Sequence, residues 1–219
     1  PKKTANYKYH NVVMGWQDID KADQPTSLST WIFKKEAKKL QYPALRHECV
    51  NVLSGKQQGT GKSSYTRYLR GLYSSKYVKE HLSLESYTNK DFNIQNSSKL
   101  FQIIEELYGA KDKTKEIYQL VTCDTREFNK KYENPVELGE YHELYILSNH
   151  RTASLHVVLD DRRIVIYDIN PAYKGDEDFW DQFNAELKDP DVMHAIFKWL
   201  SEMDVKDFNP KKLHPMLIR

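Results

Sequence analysis

Short apolar runs separated by polar, charge-bearing stretches set the rhythm of this chain. Runs bounded by turn residues mark buried strands, whereas apolar positions recurring every three or four residues mark helices. "PTSLSTWIFKKEAKKLQ" opens on Thr and Ser, places Leu28, Trp31, Ile32, Ala37 and Leu40 on roughly one face, and stops before Pro43; it reads as a helix. "ECVNVLSG" reads as the first core strand. Residues 62 to about 73 read as the helix after it, with Tyr65, Tyr68, Leu69 and Leu72 at helical spacing. The sequence from Ser74 to Ser98 is polar, with short strands expected near Tyr77–Val78 and Leu82–Tyr87. "KLFQIIEEL" is an apolar strand closed by two glutamates, and "EIYQLVTCDTREFNKKYENPVELG" reads as a short helix followed by a charged loop or hairpin. "YHELYILSNH" and "RRIVIYDI" are two further buried strands.

The tail changes character. "DEDFWDQFNAELK" and "DPDVMHAIFKWLSEM" carry apolar faces (Phe179, Phe183, Leu187; Val192, Ile196, Leu200) behind acidic first turns, with Pro190 between them. The stretch up to about Gln24 is polar and suggests no element. The pattern predicts an α/β protein: a core over 45–170, a helical segment over 1–44 before it and another over 171–219 after it.

Composition narrows this reading only slightly. The 219 residues suffice for one sizeable domain, and 33 Lys and Arg against 31 Asp and Glu leave a net charge of +2. Any contact with nucleic acid must therefore come from a local patch. Cys49 and Cys123 show no paired metal spacing and suggest a reducing compartment such as a cytoplasm. No apolar run is long enough to span a bilayer and no signal peptide is visible, so a membrane is not expected as a partner. A start at Pro1 reads as a piece cut from a longer polypeptide.

Candidate chemistry begins at "NVLSGKQQGTGKSS". A hydrophobic strand (Val50, Val52, Leu53), a glycine-rich turn and a helix beginning at Lys62 form the context of a P-loop, whose backbone N–H groups cradle phosphates. Gly55, Gln58, Gly59, Thr60, Gly61, Lys62, Ser63 and Ser64 are the candidate nucleotide contacts, with Lys62 on the β- and γ-phosphates and Ser63 on Mg²⁺. The strict pattern places a glycine where Lys56 stands; Gly55 is one residue too early. A P-loop also needs a strand that delivers carboxylates. Glu105 and Glu106 end "LFQIIEE", the first suited to the metal and the second to the attacking water, although two adjacent glutamates also commonly begin a solvated helix. Asn149, at the end of "LYILSN", is a neutral amide suited to sensing a γ-phosphate, or equally to capping a turn. Arg162 and Arg163 offer planar, permanently charged forks, or a surface pair with Asp160 and Asp161.

Taken in order, "GKQQGTGKSS", "SKLFQIIEEL", "LVTCD…FNKKYENP", "LYILSNH" and "DDRRIVIYDI" resemble the superfamily-three helicases, AAA+-related motors of viruses, phages and mobile elements. The likeness is greatest to the helicase half of poxvirus-type and phage primase-helicases, and it covers roughly residues 45 to 170. It implies a P-loop NTPase fold with a mainly parallel sheet, ATP and Mg²⁺ as ligands, and a ring, commonly a hexamer, around single-stranded DNA. A primase or polymerase domain on the same polypeptide is also implied. By the same likeness Lys62, Glu105, Glu106 and Asn149 are catalytic, Ser63 and Glu105 hold the metal, and Arg162 or Arg163 is an arginine finger. The charged hairpin would contact the strand through Arg126, Lys130, Lys131 and Tyr132. Two rivals stay open at this stage: a monomeric P-loop kinase, and an oligomerisation or DNA-binding module that holds nucleotide without turnover.

Overall fold

The computed structural model describes residues 28–55, 57–105, 113–149 and 163–210. Its centre is a five-stranded sheet in the order β2-β3-β6-β1-β7 (Val78–His81, Phe101–Ile104, Glu143–Ser148, Val50–Ser54 and Ile164–Asp168). Every neighbouring pair is parallel. Parallel strands need crossovers, and the helices that supply them cover both faces, so β1, β3 and β6 are buried along their whole length. The period of two divides each strand between the faces. On β6, Tyr145 and Leu147 join one cluster while Leu144 and Ile146 join the other.

One face is covered by α1 (Leu28–Gln41), α2 (Lys62–Tyr73), α5 (Glu177–Glu186) and α6 (Pro190–Glu202), whose side chains share a single cluster with Leu53, Ile103 and Val165. The other is covered by α3 (Leu84–Thr88) and α4 (Thr114–Thr122) over Val52, Ile104 and Ile146. Between α4 and β6 stands a separate antiparallel hairpin, β4 (Thr125–Phe128) and β5 (Val136–Gly139).

Two expectations need correction. The strand expected near Leu82–Tyr87 is instead a helix from Leu84, begun by a reciprocal capping box in which the Ser83 hydroxyl accepts from Ser86 N–H. Leu82, the first residue of that expected strand, lies outside on the surface. The one-faced α1 is in fact buried nearly all round, because it sits between the sheet and α6. Lys35, Glu36 and Lys39 are as buried as Trp31, Ile32 and Ala37. Each has partners: Glu36 accepts from the hydroxyls of Tyr65 (2.9 Å) and Tyr68 (2.7 Å), and Lys39 donates to the carbonyls of Pro43, Leu45 and Tyr141.

Candidate functional site

In a parallel sheet every strand ends at the same edge, and the crevice outside the carboxyl ends is where ligands sit. β1 leaves the sheet between β6 and β7, turns through residues 57–61, and α2 starts at Lys62 with Gly61 as its N-cap. Gly59 (φ 76) and Gly61 (φ 87) both lie in the left-handed region that favours glycine. At Gly61 there is a second requirement: a Cβ would stand 2.1 Å from Cη2 of Trp180. No side chain caps α2, which leaves its first amides open to an anion.

The Lys62 ammonium spans this turn, donating to the carbonyls of Gly55 (3.3 Å) and Gln57 (3.1 Å). Partial burial lowers its pKa. The offset glycine thus still meets the lysine: a side chain at Gly55 would lie 3.4 Å from Lys62 Nζ and 3.0 Å from Thr60 Oγ1. The additional residue in the turn leaves this approach intact.

A cleft of about 450 Å³ lies over the turn, lined by Gln58 to Ser64, by Glu105 from the end of β3 and by Asn149 from the end of β6. Three segments distant in sequence are brought together by the topology. Ser63 is exposed, and among the described residues Asn149 Oδ1 is a buried acceptor without a hydrogen-bond partner. An orphaned buried polar atom beside a glycine turn at a helix N-terminus fits a polar ligand at that point. Ser63 and Glu105 are hard oxygen donors of the kind Mg²⁺ takes. Four lining residues escaped the sequence reading: Leu147 of β6, Trp180 and Asn184 of α5, and Arg67 of α2, whose guanidinium donates to Asn184 Oδ1 (2.8 Å). Their only sequence signal is that Trp180 interrupts the apolar face Phe179–Phe183 without belonging to it.

Glu106 and Arg162 lie outside the described residues. Arg163 is exposed at the opposite end of the sheet, before β7, with its guanidinium 4.0 Å from the centre of the Tyr118 ring. It does not line its own chain's cleft.

The hairpin divides its four candidates. Tyr132 is 92 % exposed at a left-handed turn (φ 65), with Lys131 Nζ 4.9 Å from its ring centre, and Lys130 pairs on the surface with Glu133 at 3.1 Å. Arg126 corrects the expectation. Only 7 % exposed, it donates to the Tyr87 carbonyl, lies 3.9 Å from Glu140 and packs by the rings of Tyr87 and Phe128, so it braces the hairpin from inside. Phe92, unremarked in the sequence, is 57 % exposed at a left-handed φ of 51. Its loop is tied to the hairpin: Asn129 N–H donates to Asn93 Oδ1, and Asn93 Nδ2 donates to the Glu127 carbonyl.

The profile of a family described as being of unknown function (DUF5906) matches residues 53–163. No curated protein matches the chain. Among solved structures, the apo C-terminal region of NrS-1 superposes with a TM-score of 0.72 at 17 % identity over 96 % of this chain, and its A form with 0.71 at 18 % over 93 %. The JCV helicase, solved with a thiazolopyridine acetamide compound bound, superposes with 0.54 at 12 % identity over 94 %. The chain spans 48 %, 46 % and 55 % of those chains respectively. The fold implied by the helicase resemblance is the fold observed.

Proposed function

From its membership of the DUF5906 family, since the chain belongs to it, and from the cleft, we propose that this protein is the ATP-hydrolysing part of a nucleic-acid motor. One observation carries the reading: the glycine turn, Lys62, Glu105 and the unpartnered Asn149 amide oxygen meet in one cleft at the carboxyl edge of the sheet. The fold shared with the JCV helicase supports it.

In this mechanism the amides of Gly59 to Lys62 receive the phosphates, and Lys62 exchanges the carbonyls of Gly55 and Gln57 for the β- and γ-phosphate oxygens. Ser63 and Glu105 would hold Mg²⁺, which supplies neutralisation of phosphate charge when bound. Asn149 orients the γ-phosphate or the attacking water, and Glu106 accepts that water's proton. Arg163 stands at the far end of the sheet from its own cleft. Arg162 or Arg163 therefore serves as a finger toward a neighbouring copy's cleft, within a ring. Lys130, Lys131 and Tyr132 contact single-stranded DNA, with Phe92 a second exposed aromatic on a loop tied to the same hairpin.

The test is ATP hydrolysis with and without single-stranded DNA, over a range of protein concentrations, for the native chain and Lys62→Ala. Turnover that rises steeply with concentration and DNA, and disappears in Lys62→Ala, is expected. Turnover linear in protein and indifferent to DNA would refute the motor and favour a monomeric kinase or hydrolase.

A further inference from the structure

The cleft has a wall that phosphate chemistry does not use. Trp180 enters it from α5 with the benzo edge of its indole against Gly61, the last residue before Lys62. Its ring is fixed on every side the structure records: the indole N–H donates to the Tyr173 carbonyl (2.8 Å), and Phe179 and Phe183 meet it nearly perpendicularly at 5.0 and 5.8 Å. A large aromatic held rigid beside a phosphate cradle, yet only partly buried, has surface left for another planar group. One turn further along α5, Asn184 also lines the cleft. Its amide oxygen is taken by Arg67, which leaves the amide N–H₂ group to donate.

We propose that Trp180 and Asn184 form the nucleobase subsite of this cleft, resting on the phosphate-site reading above: the base stacks on the indole and accepts a hydrogen bond from the Asn184 amide. Phosphates bound at Gly59 to Ser63 leave the nucleoside to extend toward the helices lining the same cleft, and α5 is the one that presents an aromatic. Stacking grows with shared ring area, so the subsite takes a purine nucleoside triphosphate in preference to a pyrimidine one. The arrangement also gives α5 a function beyond covering the sheet: its indole reads the base while its edge touches the turn that holds the phosphates.

The test separates base from phosphate. ATP, CTP and inorganic tripolyphosphate, each with Mg²⁺, are titrated calorimetrically into the native chain, Trp180→Leu and Trp180→Phe. Leucine keeps apolar volume and removes the π face. The native chain is expected to bind ATP more tightly than CTP or tripolyphosphate. Trp180→Leu is expected to lose about tenfold or more in ATP affinity and to bind tripolyphosphate as before, which also shows that the turn is still folded; Trp180→Phe recovers most of the loss. Equal losses for ATP and tripolyphosphate would overturn the subsite, because Trp180 would then only prop the turn. Unchanged ATP affinity in Trp180→Leu would overturn it too. A native chain that binds neither ATP nor tripolyphosphate would overturn the phosphate-site reading, and the subsite with it.

Discussion

Gly61 shows how much one position can be asked to do. It must take a left-handed φ, cap α2 and leave room for the Trp180 indole, so Gly61→Ala meets both backbone strain and a steric conflict. Thermal melts should place Gly61→Ala about 1–3 kcal/mol below the native chain, with phosphate binding weakened in parallel. His81 makes a second residue-scale prediction. Buried at the end of β2 with Nε2 2.9 Å from Gln102 Oε1, its pKa is pushed down to about 4 by burial. The unfolded chain takes up this proton near pH 6.5, whereas the folded chain resists until about pH 4. The unfolded state therefore binds more protons between those values, and stability is lost as pH falls through that window. Melting temperatures measured from pH 7 to 4 should fall less steeply for His81→Gln than for the native chain. Sequence showed the glycines because glycine is itself a backbone signal. It did not show Trp180, whose importance comes from a neighbour more than a hundred residues away in the chain.

Among the elements, the hairpin separates strength from binding. Its exposed turn and its buried brace make opposite predictions. Lys130→Ala with Lys131→Ala should leave the melting temperature unchanged, since the Lys130–Glu133 pair is an exposed one. The pair of substitutions should weaken single-stranded DNA binding and reduce its log–log salt slope by roughly 1.4, at about 0.7 per phosphate contact. Arg126→Ala should instead cost about 1–3 kcal/mol of stability, measured by chemical denaturation, because it removes a buried guanidinium that bonds the Tyr87 carbonyl and faces Glu140, whose carboxylate keeps its contact with His142. The strands were legible because burial on both faces writes itself as continuous apolar runs, as in "LYILS" and "IVIYD". α1 was only half legible. A helix enclosed on two sides has no polar face to anchor a period, and Lys35, Glu36 and Lys39 look like surface residues until their partners are found on other elements. The helix at Leu84 is only 5 residues long and begins at a serine capping box, too short to show an apolar period.

For the molecule as a whole, the order of motifs along the chain is not their order in the sheet: the strands before Lys62, Glu105 and Asn149 follow one another as β1, β3 and β6 and lie side by side as β3-β6-β1. Lys62, Glu105 and Asn149 are distant in sequence, and parallel topology alone is enough to gather them. What lay beyond reach was the C-terminal helical pair. Its apolar faces were plain, but not that they share a cluster with α1 and the sheet and bring a side chain to the glycine turn. β6 joins the two ends of the molecule. It begins at Glu143, whose buried carboxyl is held well below the usual range because His47, Lys39 and Lys35 outweigh the effect of burial, and it runs without exposure to Asn149 in the cleft. The chain passes from the separate hairpin into the sheet just before Glu143, and Lys39 fixes the intervening Tyr141 carbonyl to α1. Six extended residues span roughly 20 Å and have no slack to take up, since an extended strand is already near its full length. A strand paired with β1 on one side and β3 on the other cannot slide alone, so any shift of Asn149 along the strand's axis would have to carry its neighbours with it.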